Sequence, residues 1–243
     1  MDAEAMKPYG MALRDYHEGH LSAAVEIVRD DGLVTLLPAS TFFRPAQEYE
    51  IERTALELTR GRVLDVGAGT GLHSIFLQEK GLKVCAIDLS PEAIQVMQGR
   101  GVIDVHRADV MSFAGGKFDT ILMMGHGIGM VENLSGLDQF LAHARTLLRP
   151  GGQILMTSLD VRVTSEPMNL SYQKRNAESG HYIGEIRMRF KHGDVAGPLF
   201  TWLHVDPKTL TKHAQTFGWD CEVIRMEKDG NYLARLCLET LQR

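Results

Sequence analysis

Arg62-Val63-Leu64-Asp65-Val66-Gly67-Ala68-Gly69-Thr70-Gly71 is the stretch that decides the fold of this 243-residue chain. A short apolar run carrying one carboxylate leads into glycines at alternate positions, and apolar residues then recur at helical spacing over 72–80 until Gly81. The reading is strand, tight turn, helix. Residues without Cβ let the backbone turn sharply and let a ligand lie against it. A dinucleotide-binding turn has the spacing Gly-x-Gly-x-x-Gly. Here Leu72 occupies the third glycine position. Asp65 also sits two residues before the first glycine, where a pyrophosphate would gain nothing from a carboxylate. A strand-to-helix turn without a ligand is the plain alternative.

Working outward, strands are predicted over 63–66, 84–88, 102–107, 118–124 and 153–159, with helical stretches between most of them. Ser90-Pro91-Glu92 combines an N-cap, a first-turn proline and a first-turn acid. Leu137, Phe140, Leu141, Ala144 and Leu148 form an apolar helical face that stops at Arg149-Pro150-Gly151-Gly152. Strands alternating with helices imply right-handed crossovers and a parallel sheet. Residues 1–60 read as a helical extension: Leu21, Ala24, Val25 and Val28 recur at helical spacing up to Asp31-Gly32, and a second helix covers about 46–60. Residues 61–160 form the core. An insertion over 161–205 reads as a β-hairpin, its strands 182–191 and 199–204 turning around His192-Gly193-Asp194. Residues 206–243 read as a helix ending at Gly218, then two strands around Lys228-Asp229-Gly230-Asn231. The whole, 1–243, is expected to be one α/β domain.

Composition narrows the classes of function. The net charge is −5 with no basic cluster, which argues against a nucleic-acid footprint. No apolar stretch approaches the ~20 residues of a membrane span. The first twenty residues have early acids and no apolar core, unlike a secretory signal. Cys85, Cys221 and Cys237 are scattered, without metal-ligand spacing, and suit a reduced compartment. The expectation is a cytoplasmic protein without a metal, monomer or homodimer, acting on a small molecule.

The decisive run resembles the first motif of the class I S-adenosylmethionine (SAM)-dependent methyltransferases, acidic-x-Gly-x-Gly-x-Gly, and the resemblance extends over roughly 62–160. It implies a seven-stranded Rossmann-like sheet, mostly parallel with the last strand antiparallel. It implies that Asp65 faces the cationic methionine end of SAM and that Gly67, Ala68, Gly69 and Gly71 cradle the cofactor. Asp88, followed by Leu89, ends the second strand 23 residues after Asp65, where a carboxylate can accept hydrogen bonds from both ribose hydroxyls. The same placement would suit a dinucleotide. Asp109 and Val110 follow the third strand, where family members bind the adenine amine and sandwich the ring. Met124 and Gly125 follow the fourth, where backbone carbonyls approach the methionine portion. Leu147-Leu148-Arg149-Pro150-Gly151-Gly152 is similar to the turn before the family's fifth strand.

The sulfonium methyl is itself electrophilic, so a general base is needed only where the acceptor arrives protonated. His126, between glycines after the fourth strand, is the candidate; ordinary packing in a tight loop is the competing reading. Tyr9, Tyr16, Arg44 and Trp202 are candidate acceptor-pocket residues, each with a packing or surface alternative. After the fourth strand there is no Asn/Asp-Pro-Pro-Tyr/Phe, no paired-glutamate loop and no Asp/Asp/Asn metal set, so a small-molecule acceptor is expected. The alternatives are a NAD-dependent oxidoreductase on a related sheet and a non-catalytic SAM-binding protein.

Overall fold

The computed structural model describes residues 2–238. It begins with α1 (Ala3–His17), whose Asp2 cap accepts the Glu4 N–H at 3.0 Å. An antiparallel hairpin follows, β1 (Ala24–Arg29) and β2 (Val34–Pro38). The helix expected up to Asp31 is therefore a strand. Val25, Ile27 and Val28 are β-branched, which favours the pleated chain. Their decisive partner comes from far along the sequence.

After a 3-10 turn at Ala39–Phe42 comes α2 (Glu50–Leu58), and the alternating core begins. It runs β3 (Arg62–Val66), α3 (Leu72–Glu79), β4 (Lys83–Asp88), α4 (Pro91–Gly99), β5 (Asp104–Arg107), β6 (Phe118–Met123), α5 (Leu134–Leu147) and β7 (Leu148–Leu159). The insertion holds α6 (Pro167–Glu178), β8 (Glu185–His192), β9 (Val195–Ala196) and β10 (Phe200–Leu203); the chain closes with α7 (Pro207–Thr216), β11 (Trp219–Met226) and β12 (Asn231–Leu238).

The main sheet has seven strands in the order β11-β12-β7-β6-β3-β4-β5. β3 through β7 are mutually parallel, while β12 runs antiparallel to both β7 and β11. The family expectation of a mostly parallel sheet with an antiparallel last strand is met. Successive strand residues serve opposite faces. Leu64, Ile121 and Ile154 pack under α5 and α7 with Phe140 and Leu210. Val63, Leu122 and Leu155 pack under α2 and α3 with Ala55 and Leu77. With both faces covered, the ligand-accessible region is at the carboxyl ends of the parallel strands.

A second sheet stands over those ends. Its order is β10-β8-β1-β2, with β9 paired to β8. The expected pairing of the two insertion strands is present. But β8 also pairs with β1, joining the insertion to the N-terminal hairpin. The register puts Ile27 beside Phe190, Arg29 beside Met188 and Ile186 beside Trp202, so one face gathers all six. The insertion is thus more than a hairpin; it adds α6, whose buried Tyr172 accepts the Arg187 N–H at 2.9 Å. α1 is wedged between this sheet and α4. Ala5 and Ala12 meet Val25 and Phe190, while Leu13 meets Ala93 and Val96. The approach is close at Gly10, where a Cβ would lie 2.0 Å from Ser90 Oγ.

Candidate functional site

Between the two sheets lies a cavity of about 930 Å³, at the large end of the range for small-molecule sites. Its floor is the glycine turn. Gly67, Gly69 and Gly71 all have positive φ, at 66°, 57° and 74°, a conformation costly for residues with a Cβ. Gly67 and Ala68 donate their N–H groups to the Ile87 carbonyl at 2.9 and 3.1 Å, tying the turn to β4. At Gly71 the helix meets its neighbour closely: a Cβ would lie 2.5 Å from Val102 Cγ2.

Two carboxylates flank this turn and line the cavity. Asp65 is 2% exposed and accepts the Ser74 hydroxyl at 2.6 Å. Asp88 accepts the Gly69 N–H on Oδ2 and the Ser90 N–H on Oδ1, both at 2.9 Å. Burial pushes both carboxyls above the ordinary range, because removal from water disfavours the charged form. A ligand bringing a cation to Asp65 and hydroxyl donors to Asp88 would relieve that penalty. Beyond β5, Ala108 donates to the Asp88 carbonyl at 3.0 Å and Met111 donates its N–H to Asp109 Oδ1 at 2.9 Å. This places Asp109, Val110 and Leu89 along the same cavity wall.

The far end is built on the loop after β6. Met124 accepts the Gly127 N–H at 2.9 Å, and Gly125 and His126 both adopt φ of 59°. A histidine held in the left-handed region is strained, and such strain concentrates at functional sites. Thr157 Oγ1 holds it by accepting the His126 N–H at 3.0 Å. The imidazole Nε2 pairs with Asn231 Oδ1 at 2.5 Å, and burial lowers its pKa despite Asn231 and Asp229. His204 stands perpendicular to it, ring centroids 5.3 Å apart. Burial and the neighbouring His126 lower the His204 pKa to about 3. Its Nδ1 is sealed from solvent without a hydrogen-bond partner.

Every candidate cofactor residue except Gly71 lines this cavity; Gly71 caps α3 beneath it. Of the acceptor-pocket candidates, Tyr9, Arg44 and Trp202 line it too. The Tyr9 hydroxyl, 3.4 Å from where a Gly69 Cβ would be, is raised by burial and by Asp88. Trp202 presses on the loop at Gly129, where a Cβ would lie 1.9 Å from its Nε1. Arg44 is not free to anchor a ligand by itself: Glu52 takes it at 2.7 and 2.9 Å, and Tyr49 stacks on it. Tyr16 does not line the cavity. Its ring packs 4.7 Å from Phe43, because α1 turns that residue toward α4. The sequence reading missed His204, just after β10, and Asn231, at the start of β12, neither with a local signal of a pocket. It also missed His73, 3.6 Å from the buried Glu52. Outside the cavity, ligand atoms of Cys85, Asp104 and His106 lie within 4.8 Å of one another. Burial, with Asp104, pushes the Cys85 thiol up to about 12.

A family profile described as a methyltransferase domain matches residues 43–223. A crystal structure of a SAM-dependent methyltransferase from Bacteroides fragilis, in complex with S-adenosyl-L-homocysteine, is 34% identical with a TM-score of 0.85, over 99% of this chain and 98% of that one. A ubiquinone biosynthesis O-methyltransferase from Xanthomonas euvesicatoria pv. vesicatoria is 34% identical over 46% of this chain and 48% of its own length. A magnesium-protoporphyrin O-methyltransferase from Rhodobacter capsulatus is 35% identical over 30% and 36%. The matches thus span about half or less of these curated relatives. Among the described residues no helix is long and apolar enough to cross a membrane.

Proposed function

Because this chain belongs to the methyltransferase-domain family, of the class I SAM-dependent type, we propose that it transfers a methyl group from SAM to a small-molecule acceptor. The observation that carries the cofactor assignment is the pair of buried carboxylates, Asp65 and Asp88, on either side of a turn left open by three glycines. The residues fit a nucleoside bearing a cationic tail. At Gly67 and Gly69 a Cβ would come within 2.8 Å of Met130 and 3.4 Å of Tyr9, filling space the ligand needs. SAM, when bound, supplies an electrophilic sulfonium methyl.

In this reading Asp65 holds the ammonium of the methionine end and Asp88 accepts the ribose hydroxyls. Asp109 and Val110 receive the adenine, and the loop at Met124 and Gly125 lies along the methionine chain. Tyr9 and the second sheet exclude water from the reacting centre. Orientation of the acceptor in line with the breaking bond supplies much of the rate. His126 stands at the acceptor end. With Nε2 engaged by Asn231, Nδ1 is the nitrogen that takes a proton from the acceptor. Trp202 forms part of the acceptor wall. The names of the curated relatives support oxygen as the methylated atom.

Titration calorimetry with SAM, S-adenosylhomocysteine (SAH) and NAD in parallel tests the proposal. Micromolar binding of the first two and none of NAD is expected. Binding of NAD alone, or of none of the three, overturns it.

A further inference from the structure

The acceptor end of the cavity holds two imidazoles, and the reading above uses one. His204 lines the cavity and makes no side-chain hydrogen bond among the described residues. Its Nδ1 is sealed, so Nε2 is the ring nitrogen that can meet a ligand. Nε2 faces no protein partner among the described residues, and the chain holds the residue in place firmly. The His204 backbone N–H donates to the Gly184 carbonyl at 2.8 Å, and the two segments meet so closely that a Cβ on Gly184 would lie 1.8 Å from the His204 carbonyl oxygen. His126 stands edge-on to it with its own Nε2 already taken. Each ring therefore offers one nitrogen, and the ring centroids are 5.3 Å apart.

The surroundings restrict what that molecule can be. Ile186, Met188 and Trp202 line the cavity from the second sheet, on the same face as Arg29, whose charge Asp31 holds at 2.8 Å. Asp229, whose charge acts on His126, and Glu227 also line the cavity, and they repel an anion.

We propose that His204 is an acceptor-binding residue, hydrogen-bonding through Nε2 a second polar group that stands beside the one methylated. The acceptor is thus an uncharged, largely apolar molecule with two hydroxyl groups on one edge. One hydroxyl gives its hydrogen bond to His204. The other serves as nucleophile: its oxygen bonds the methyl carbon, the carbon–sulfur bond breaks with its electron pair going to sulfur, and the hydroxyl proton passes to His126. This rests on the methyltransferase reading and adds the substrate class to it.

The test uses the SAH-loaded full chain and three ring probes: phenol, benzene-1,2-diol and benzene-1,3-diol. Wild type is expected to bind at least one diol tenfold or more tightly than phenol, by calorimetry or ligand-observed NMR. A carboxylate added to that diol should abolish the gain. His204→Phe should lose the diol preference while binding phenol and SAH as wild type does; His204→Gln, which keeps a polar group, should retain part of it. Equal binding of phenol and both diols by wild type overturns the inference, whatever the variants do. So does a His204→Phe or His204→Gln protein that binds SAH and keeps the full preference. Failure of wild type to bind SAH would instead sink the methyltransferase reading, so the two failures are distinguishable.

Discussion

Replacing Asp88 by Ala separates cofactor binding from folding, and both effects can be sized. In the folded chain the carboxylate accepts two backbone N–H groups, from Gly69 and Ser90. Each sealed N–H left without an acceptor costs ~1–3 kcal/mol, so the turn loses about 2–6 kcal/mol in total if no water replaces the oxygens. Against a typical stability of ~5–15 kcal/mol, a loss in the lower part of the ~2–6 kcal/mol range leaves the protein folded near room temperature with a clearly lower urea midpoint. On the binding side, hydrogen bonds to a charged group are each worth ~1.5–3 kcal/mol. Loss of two ribose contacts therefore weakens SAH by roughly a hundredfold or more, at ~1.4 kcal/mol per factor of ten. Calorimetry at low temperature measures the affinity, and urea unfolding followed by circular dichroism measures the stability. Asp88→Asn, which keeps one acceptor oxygen and the shape, should fall between. A folded Asp88→Ala protein with an SAH Kd within twofold of wild type refutes the ribose contact. An unchanged urea midpoint refutes the anchoring of the turn.

Three further outcomes are expected. His126→Ala should bind SAH as wild type does but lose turnover of a hydroxyl acceptor by about a hundredfold, within the range of general-base effects; full turnover removes His126 from the chemistry. Gly71→Ala should destabilise the chain by about 2 kcal/mol or more, because it combines a left-handed residue with a Cβ forced onto Val102; a thermal midpoint equal to wild type contradicts the close approach. Burial holds the Asp65 carboxyl above its ordinary range, so SAH affinity should fall as pH drops through that raised value. The ligand-free protein should show the opposite sign from this group, losing stability as pH rises through the same value. Asp65→Asn should flatten the binding profile, and a wild-type profile as flat as the variant's would exclude the ammonium contact.

The alternating core was legible because its causes are local. The apolar run before Gly67, the glycines with positive φ and the Ser90-Pro91-Glu92 start act over a few residues. The parallel topology follows from crossovers of a dozen or more residues. Asp65, Asp88 and Asp109 could be placed for the same reason: each lies at or just beyond the carboxyl end of a parallel strand, so its position in the chain fixes its place around the cavity. Outside the core the reading was weaker. Leu21, Ala24, Val25 and Val28 fit a helix and a strand about equally well, and the choice fell to β8, whose Phe190 pairs with Ile27. A period read in one segment carries no information about a partner more than 150 residues away.

What the sequence by itself determined is the half of this protein proposed to hold the cofactor: the fold of the sheet, the open turn and the carboxylates beside it, all fixed by short-range backbone chemistry. The end of the cavity proposed for the acceptor was decided only in three dimensions. His126 from the loop after β6, His204 from the end of β10 and Asn231 from the start of β12 meet because two sheets are stacked over one strand end. Tyr16 and Arg44 show the converse, since neighbours from other elements had already claimed them. Side-chain type states what a residue could do, but the burial and partners that decide what it does come from packing between segments distant in the chain.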